Sequence, residues 1–200
     1  MKKQEKKILL VISGGIAAYK SLELIRLLNN EGISVLPLMT ESAKSFVTPL
    51  SVSVISGEKV ASEMFDVESE MNFSHIELSR AAGLVVVAPA TANILAKFAN
   101  GLADDLASTV LLATDKKVLV AGSIPPLSES YRFDLVPDAD EAIPIYENIA
   151  RALLPYVDIF ICETMSTMSE SANALGAIRN VIGYDRPVWV SWTDRAWPRG

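Results

Sequence analysis

The 200-residue chain contains one cysteine and one histidine. A lone Cys162 excludes an internal disulfide and any cysteine-based zinc cluster, and a lone His75 excludes multi-histidine metal sites. No metal centre is expected. Basic residues are also scarce: 18 Lys and Arg stand against 24 Asp and Glu, giving a net charge of −6. A nucleic-acid surface needs a basic stripe, so none is expected. The one basic cluster, Lys2, Lys3, Lys6 and Lys7, reads as a short solvated end. Long apolar runs are missing too. Runs such as Leu84–Ala88 and Val118–Ala121 are far too short to span a bilayer, and no membrane partner is expected. Met1–Lys7 is charged and leads straight into a strand pattern, so no signal segment is expected and the cytoplasm is the expected address.

What the chain does have is apolar residues, half of the total, with about a fifth charged. The mean hydropathy of +0.29 fits a sheet covered on both faces, whose strands read as unbroken apolar runs. Such runs fall at Ile8–Ser13, Ile33–Met39, Leu84–Ala88, Val118–Ala121, Asp158–Cys162 and Val188–Trp192. Between them, helical patterning is read from Ile16 to Asn30, from Asp104 to Ala113 and from Glu141 to Leu154, the last with Pro144 in its opening turn. A further helix is predicted to start near Thr167, which has capping-box spacing to Glu170. Strand–helix alternation implies parallel pairing with right-handed crossovers. The expected fold is a single α/β domain over 1–200: a doubly wound, flavodoxin- or Rossmann-like parallel sheet in three α/β/α layers. The Pro-containing stretch 122–140 is expected to be a long loop.

Ser13, Gly14, Gly15, Ile16, Ala17 and Ala18 follow the first strand and open the first helix. Glycines there admit close backbone approach, and free amides at a helix start favour an anion. A plain tight turn explains the same residues. Three other strand ends carry small or hydroxylic residues: Thr40 to Ala43, Pro89 to Asn93, and Gly122 with Ser123. Thr40 and Thr91 are also good helix caps. Together on one rim they suggest a pocket for a flat ring, because ligands of open parallel sheets sit beyond the carboxyl ends of the strands.

Ile8–Lys20, Met39–Leu50, Ser74–Arg80, Ala88–Lys97 and Gly101–Thr114 resemble the decarboxylase half of phosphopantothenoylcysteine decarboxylases, a family that also includes lantibiotic-peptide decarboxylases. The resemblance runs from about residue 6 to 121. It implies oxidative decarboxylation of a cysteinyl carboxylate with flavin mononucleotide (FMN). By resemblance Ser13, Gly14, Gly15, Ile16 and Ala17 hold the FMN phosphate region. Thr40, Ser42, Phe46, Pro89, Ala90 and Thr91 lie near the flavin, and Asp105 and Ser108 belong to the motif beginning at Gly101. His75 aligns with the active-site histidine; a surface histidine at a helix start is the alternative, but as the sole histidine and one that falls on the motif it is read as a site residue. Asn93 matches an asparagine that helps hold the substrate carboxylate.

After Ala121 the resemblance stops. The proline-alanine-methionine-asparagine segment that binds substrate in that family is replaced by Gly122-Ser123-Ile124-Pro125-Pro126, and the family's later cysteine-bearing flap is absent. Ala121–Ser123, Val157–Thr164 and Pro187–Ser191 instead resemble homocysteine S-methyltransferases, which are (β/α)8 barrels, without their zinc-binding cysteines. Cys162 is expected to be a buried, inert thiol, and Glu163 either points to the pocket or caps a helix. The implied protein is a chimera, designed rather than naturally fused, with 194–200 a tail. It is expected to bind FMN with little or no turnover. An active decarboxylase and an empty scaffold are the alternatives. The family's trimer implies a homo-oligomer, unless the new carboxyl-terminal segment leaves the chain monomeric.

Overall fold

A computed structural model describes residues 7–62 and 75–192. The chain divides into two compact units, Met1–Lys117 and Val118–Gly200. In the first unit, β1 (Lys7–Ile12), β2 (Ser34–Met39) and β3 (Leu84–Val87) form a parallel sheet in the order β2-β1-β3. Leu9 pairs with Leu36 on one side and with Val85 on the other. As the middle strand, β1 is buried on both faces from Leu9 to Ile12, which is why it reads as an apolar run without alternation.

Alternate residues of β1 feed two cores. Leu10 and Ile12 pack with Ala18 and Ile25 of α1 (Ala18–Asn30) and Val52 of α2 (Pro49–Ser56). Leu9 and Val11 pack with Leu78 of α3 (His75–Ala81), Ile94 of α4 (Ala92–Ala99) and Val110 of α5 (Leu106–Ala113). Helices therefore cover both faces, giving the three-layer, flavodoxin-like arrangement that the sequence pattern implies. The chain steps from β1 outward to β2 and returns to the far side of β1 as β3, so the order reverses between β1 and β3. That reversal is the switch point at which such sheets open a crevice.

The second unit holds β4 (Ala121–Ile124), β5 (Ile159–Met165) and β6 (Val188–Trp192), parallel and in sequential order. The connections are α6 (Ala139–Leu153) and α7 (Met168–Ile182). Ile124, Phe160, Cys162 and Met165 of the sheet share one core with Tyr146 of α6 and Ile178 of α7. Two right-handed crossovers stepping the same way put both helices on one face. The residues that alternate with the core set, Ala121, Ser123 and Trp189, are exposed.

Several elements differ from the sequence reading. The fourth strand lies at Ala121–Ile124, three residues beyond the apolar run Val118–Ala121. Its register is fixed by Ala121 opposite Ile159 and by the Asp158 amide, which donates to the Val120 carbonyl at 2.8 Å. Tertiary pairing thus overrides the poor strand propensity of Gly122 and Ser123. The expected loop 122–140 contains this strand and a 3-10 turn at Phe133–Leu135. Because α6 starts at Ala139, Pro144 sits in its second turn, where the one hydrogen bond it forfeits is near the helix end. Helices α2, α3 and α4 are additions to the four read from sequence. Thr167 caps α7 by accepting from the Glu170 amide, but the Glu170 carboxylate accepts from the Ser166 amide at 2.7 Å, so the box is only half closed.

Candidate functional site

Beyond the carboxyl ends of β1, β2 and β3 lies a cleft of about 440 Å³, a size ordinary for small-molecule sites. Its floor is the turn between β1 and α1. The Gly14 backbone passes so close to the β2 rim that an added Cβ would stand 2.4 Å from the Ser42 hydroxyl oxygen. Only glycine fits that approach. Among the described residues, the amides of Gly14, Gly15, Ile16 and Ala17 donate to no protein acceptor. Four neighbouring free donors at a helix start form an anion site.

Ser13 has another task than the phosphate donor the sequence suggests. It is 1 % exposed, donates to the Pro89 carbonyl at 2.5 Å and accepts from the Thr91 amide at 3.1 Å. Its one proton is therefore spent on the β3 rim. Ser21 adds a second tie, donating to the Ala88 carbonyl at 2.7 Å. The two hydroxyls hold the segment after β3 against the phosphate turn.

Thr40 and Thr91 do both things proposed for them. Thr40 accepts from the Ala43 amide and Thr91 caps α4 through the Ile94 amide, and both line the cleft. Ser42 lies 3.1 Å from the Thr40 hydroxyl. On α4, Asn93 and Lys97 are one turn apart and both line the cleft. The Lys97 ammonium contacts Asp104 Oδ1 at 2.8 Å and Asp105 Oδ2 at 2.6 Å. Asp105 also caps α5, accepting from the Ser108 amide at 2.7 Å in a closed capping box. Hydrogen bonds to Asp104 first and to Asp105 second hold the Lys97 ammonium above its ordinary value. Burial would push the Asp105 carboxyl up, but hydrogen bonds from Lys97 and Ser108 outweigh it and leave it below the usual carboxylate value.

The structure thus brings together Ser13, Gly14, Thr40, Ser42, Thr91, Asn93 and Asp105 around one cleft. Other expected residues stand back from its wall. Gly15, Ile16 and Ala17 continue the turn after Gly14, and the Ile16 side chain is 78 % exposed. Pro89 and Ala90 belong to the stapled segment. Phe46 ends the 3-10 turn that Thr40 caps and faces solvent. Ser108 is buried behind Asp105. His75 is the first residue of α3, and its side chain falls outside the described residues. Glu163 is exposed within β5 of the second unit, and Thr167 takes the capping role considered for it. Glu41, Ile94 and Lys97 are lining residues that sequence reasoning missed. Lys97 carried a usable signal, since it follows Asn93 at the helical spacing of four.

A cleft at the switch point of a three-layer α/β/α sheet is where proteins of this fold bind nucleotide-type ligands. The chain belongs to the flavoprotein family, whose model, described as Flavoprotein, matches residues 1–183. The coenzyme A biosynthesis bifunctional protein CoaBC of Escherichia coli (strain K12) is 50 % identical over 115 residues, 58 % of this chain and 28 % of that protein. The corresponding CoaBC of Bacillus subtilis (strain 168) is 43 % identical over 116 residues, 58 % of this chain and 29 % of that protein. The match thus spans under a third of these relatives. Among solved structures, MrsD from Bacillus sp. HIL-Y85/54728 covers 96 % of this chain and 86 % of its own at a TM-score of 0.51 and 22 % identity. TvaF, an FMN-dependent cysteine decarboxylase from thioviridamide biosynthesis, gives a TM-score of 0.53 at 22 % identity over 87 % of this chain and 98 % of its own. These two show the fold. Among the described residues no helix is long and apolar enough to cross a membrane.

Proposed function

We propose that the cleft binds FMN, with little or no catalytic turnover. The observation that carries this is the row of four unpaired amides at Gly14–Ala17, beneath a glycine that no larger residue replaces. A phosphate monoester matches that row in charge and in acceptor number. Thr40, Ser42 and Thr91 offer hydroxyls along the wall, where a ring system would lie over the small residues of the stapled β3 rim. Bound there, FMN would supply two-electron oxidation chemistry. The protein's part is to bind the phosphate, orient the ring and present Asn93 and Lys97 to whatever enters beside it. Titrating the purified protein with FMN tests the reading. Quenched or shifted flavin fluorescence, and flavin that co-elutes on a sizing column, is the expected result; free flavin throughout refutes it.

The placement of Asn93 on the cleft wall favours a second reading, an active FMN-dependent decarboxylase of a cysteinyl substrate, with His75 the proton-exchanging group. Carbon dioxide release from a cysteinyl substrate, absent in His75→Asn, supports it. No release above that variant excludes it.

The weak turnover follows from the second unit, which we read as a βαβαβ slice of a barrel joined to the flavoprotein half. Its strands run in sequential order with helices on one face and Ala121, Ser123 and Trp189 bare on the other. Barrel strands have that order, and in a closed barrel the second face would be interior. Replacing 122–192 with the matching segment of a complete decarboxylase is expected to raise turnover. If turnover stays flat, the second unit is not the cause.

A further inference from the structure

Among the described residues, Lys97 is the one cation on the cleft wall. Its ammonium has three donors, and two carboxylates already stand against it, Asp104 at 2.8 Å and Asp105 at 2.6 Å. The two acids are held differently. Asp105 is anchored: its second oxygen accepts from the Ser108 amide at 2.7 Å and the Ser108 hydroxyl at 2.8 Å, and its side chain is 35 % exposed. Asp104 is 62 % exposed, and apart from Lys97 only a 3.5 Å contact from the Ser108 hydroxyl reaches its carboxylate. One ammonium is thus neutralised twice, once by a fixed partner and once by a loose one.

We propose that Asp104 is a stand-in anion, displaced from Lys97 when the carboxylate of a ligand enters the cleft beside Asn93, so that Lys97 becomes the residue that selects for an acidic ligand. The inference rests on the cleft being the binding site proposed above. With both aspartates in place, a third carboxylate would gain from one cation and lose to two anions, with little net attraction. Exchanging it for Asp104 restores the one-to-two balance, leaves no buried charge unpaired and returns Asp104 to water. An exposed ion pair contributes little, so its loss is a small barrier to the exchange. A neutral ligand group offers the ammonium only an uncharged acceptor, which does not replace the Asp104 carboxylate. Asn93, one turn earlier on α4, is placed to donate its amide to the same carboxylate.

The full chain, with and without FMN, is titrated with N-acetylcysteine and with its carboxamide, following amide NMR shifts. Wild type is expected to prefer the carboxylate. Asp104→Asn should tighten the carboxylate about twofold to fivefold, the range of an exposed pair, without changing the carboxamide. Lys97→Met should weaken the carboxylate about tenfold or more, as expected for a lost charge-assisted bond, again sparing the carboxamide. Lys97→Arg keeps the charge and should keep the preference, which separates this role from loss of the α4 structure. No preference in wild type, a weaker carboxylate in Asp104→Asn, or equal losses of both probes in Lys97→Met would each overturn the proposal. FMN that fails to bind the same samples sinks the cofactor reading alone, since the preference is read without it.

Discussion

Gly14→Ala is the perturbation whose outcome the geometry determines most tightly. The new Cβ would sit 2.4 Å from Ser42 Oγ, 2.5 Å from its Cβ and 2.6 Å from its carbonyl carbon. Carbon atoms rest at about 3.5–4 Å, so the two segments must part by roughly 1 Å. Ser42 cannot simply rotate away, because its backbone is one of the three obstacles. The loop is also tied down: the Thr40 amide donates to the Ile12 carbonyl at 3.1 Å. Forced overpacking of this kind costs about 1–3 kcal/mol. Urea unfolding should therefore show that loss, and FMN affinity should fall with it because the phosphate turn and the Thr40–Ser42 wall move apart. Gly15→Ala is the control. Its Cβ would meet only Thr91 Cγ2, at an ordinary 3.5 Å, so stability should change by under about 0.5 kcal/mol. Adding Ser42→Gly to Gly14→Ala removes two of the three clashes and leaves the carbonyl carbon, so rescue should be partial. A Gly14→Ala protein within about 0.5 kcal/mol of wild type, or complete rescue by Ser42→Gly, refutes the close-approach argument.

Other expectations are read from single groups. The Tyr146 hydroxyl is buried without a hydrogen-bond partner among the described residues, the Leu127 backbone nearby lying outside bonding geometry, and burial first, then the Glu170 charge, pushes its ionisation up. Tyr146→Phe should leave stability unchanged or raise it by up to about 1 kcal/mol in urea titration, and a loss of that size would mean an unseen partner. The Asp105 carboxyl is depressed in the folded chain, so its contribution is present above the unfolded value near ~3.9 and lost as pH falls through the lower folded value. Acid titration of stability should accordingly be flatter in Asp105→Asn than in wild type below about pH 4; parallel curves would contradict this. Burial pushes the Cys162 thiol up to about 11, so a disulfide reagent at neutral pH should label it only after unfolding, and rapid native labelling would place it at the surface.

The first unit was legible because its signals are local. β1, β2 and β3 are apolar runs followed by turn chemistry, and a turn that holds Gly14 against Ser42 shows in sequence as a glycine pair after a strand. Thr40 and Thr91 could be named because a cap and a cleft wall ask for the same short polar side chains, whereas Asp105 was named only through the resemblance of its motif. What sequence could not resolve was the assignment of bonds. Ser13 reads as a donor to phosphate, yet its proton goes to Pro89, a partner 76 positions away that only the packed sheet brings near. Lys97 drew no reading of its own, because its partners Asp104 and Asp105 are brought against it only by the fold.

The second unit fails differently, and the reason is informative. Gly122 and Ser123 carry no strand pattern, so β4 was placed on the more apolar Val118–Ala121. The strand forms where it does because Val120 meets Asp158, just before β5, and Ala121 pairs with Ile159, and because small residues are needed there. A Cβ on Gly122 would stand 2.9 Å from Val157 Cγ1 and 3.4 Å from Leu153 Cδ1, so the close packing of α6 against β4 selects glycine over a better strand former. The same requirement separates the two glycine sites. At Gly14 the close neighbours include backbone, and the space is a rim of the cleft. At Gly122 they are the side chains of Val157 and Leu153. A glycine in a strand–turn context thus marks close approach in both units, but at Gly14 that approach is joined by unsatisfied amides, and it is those amides that the proposed phosphate site rests on.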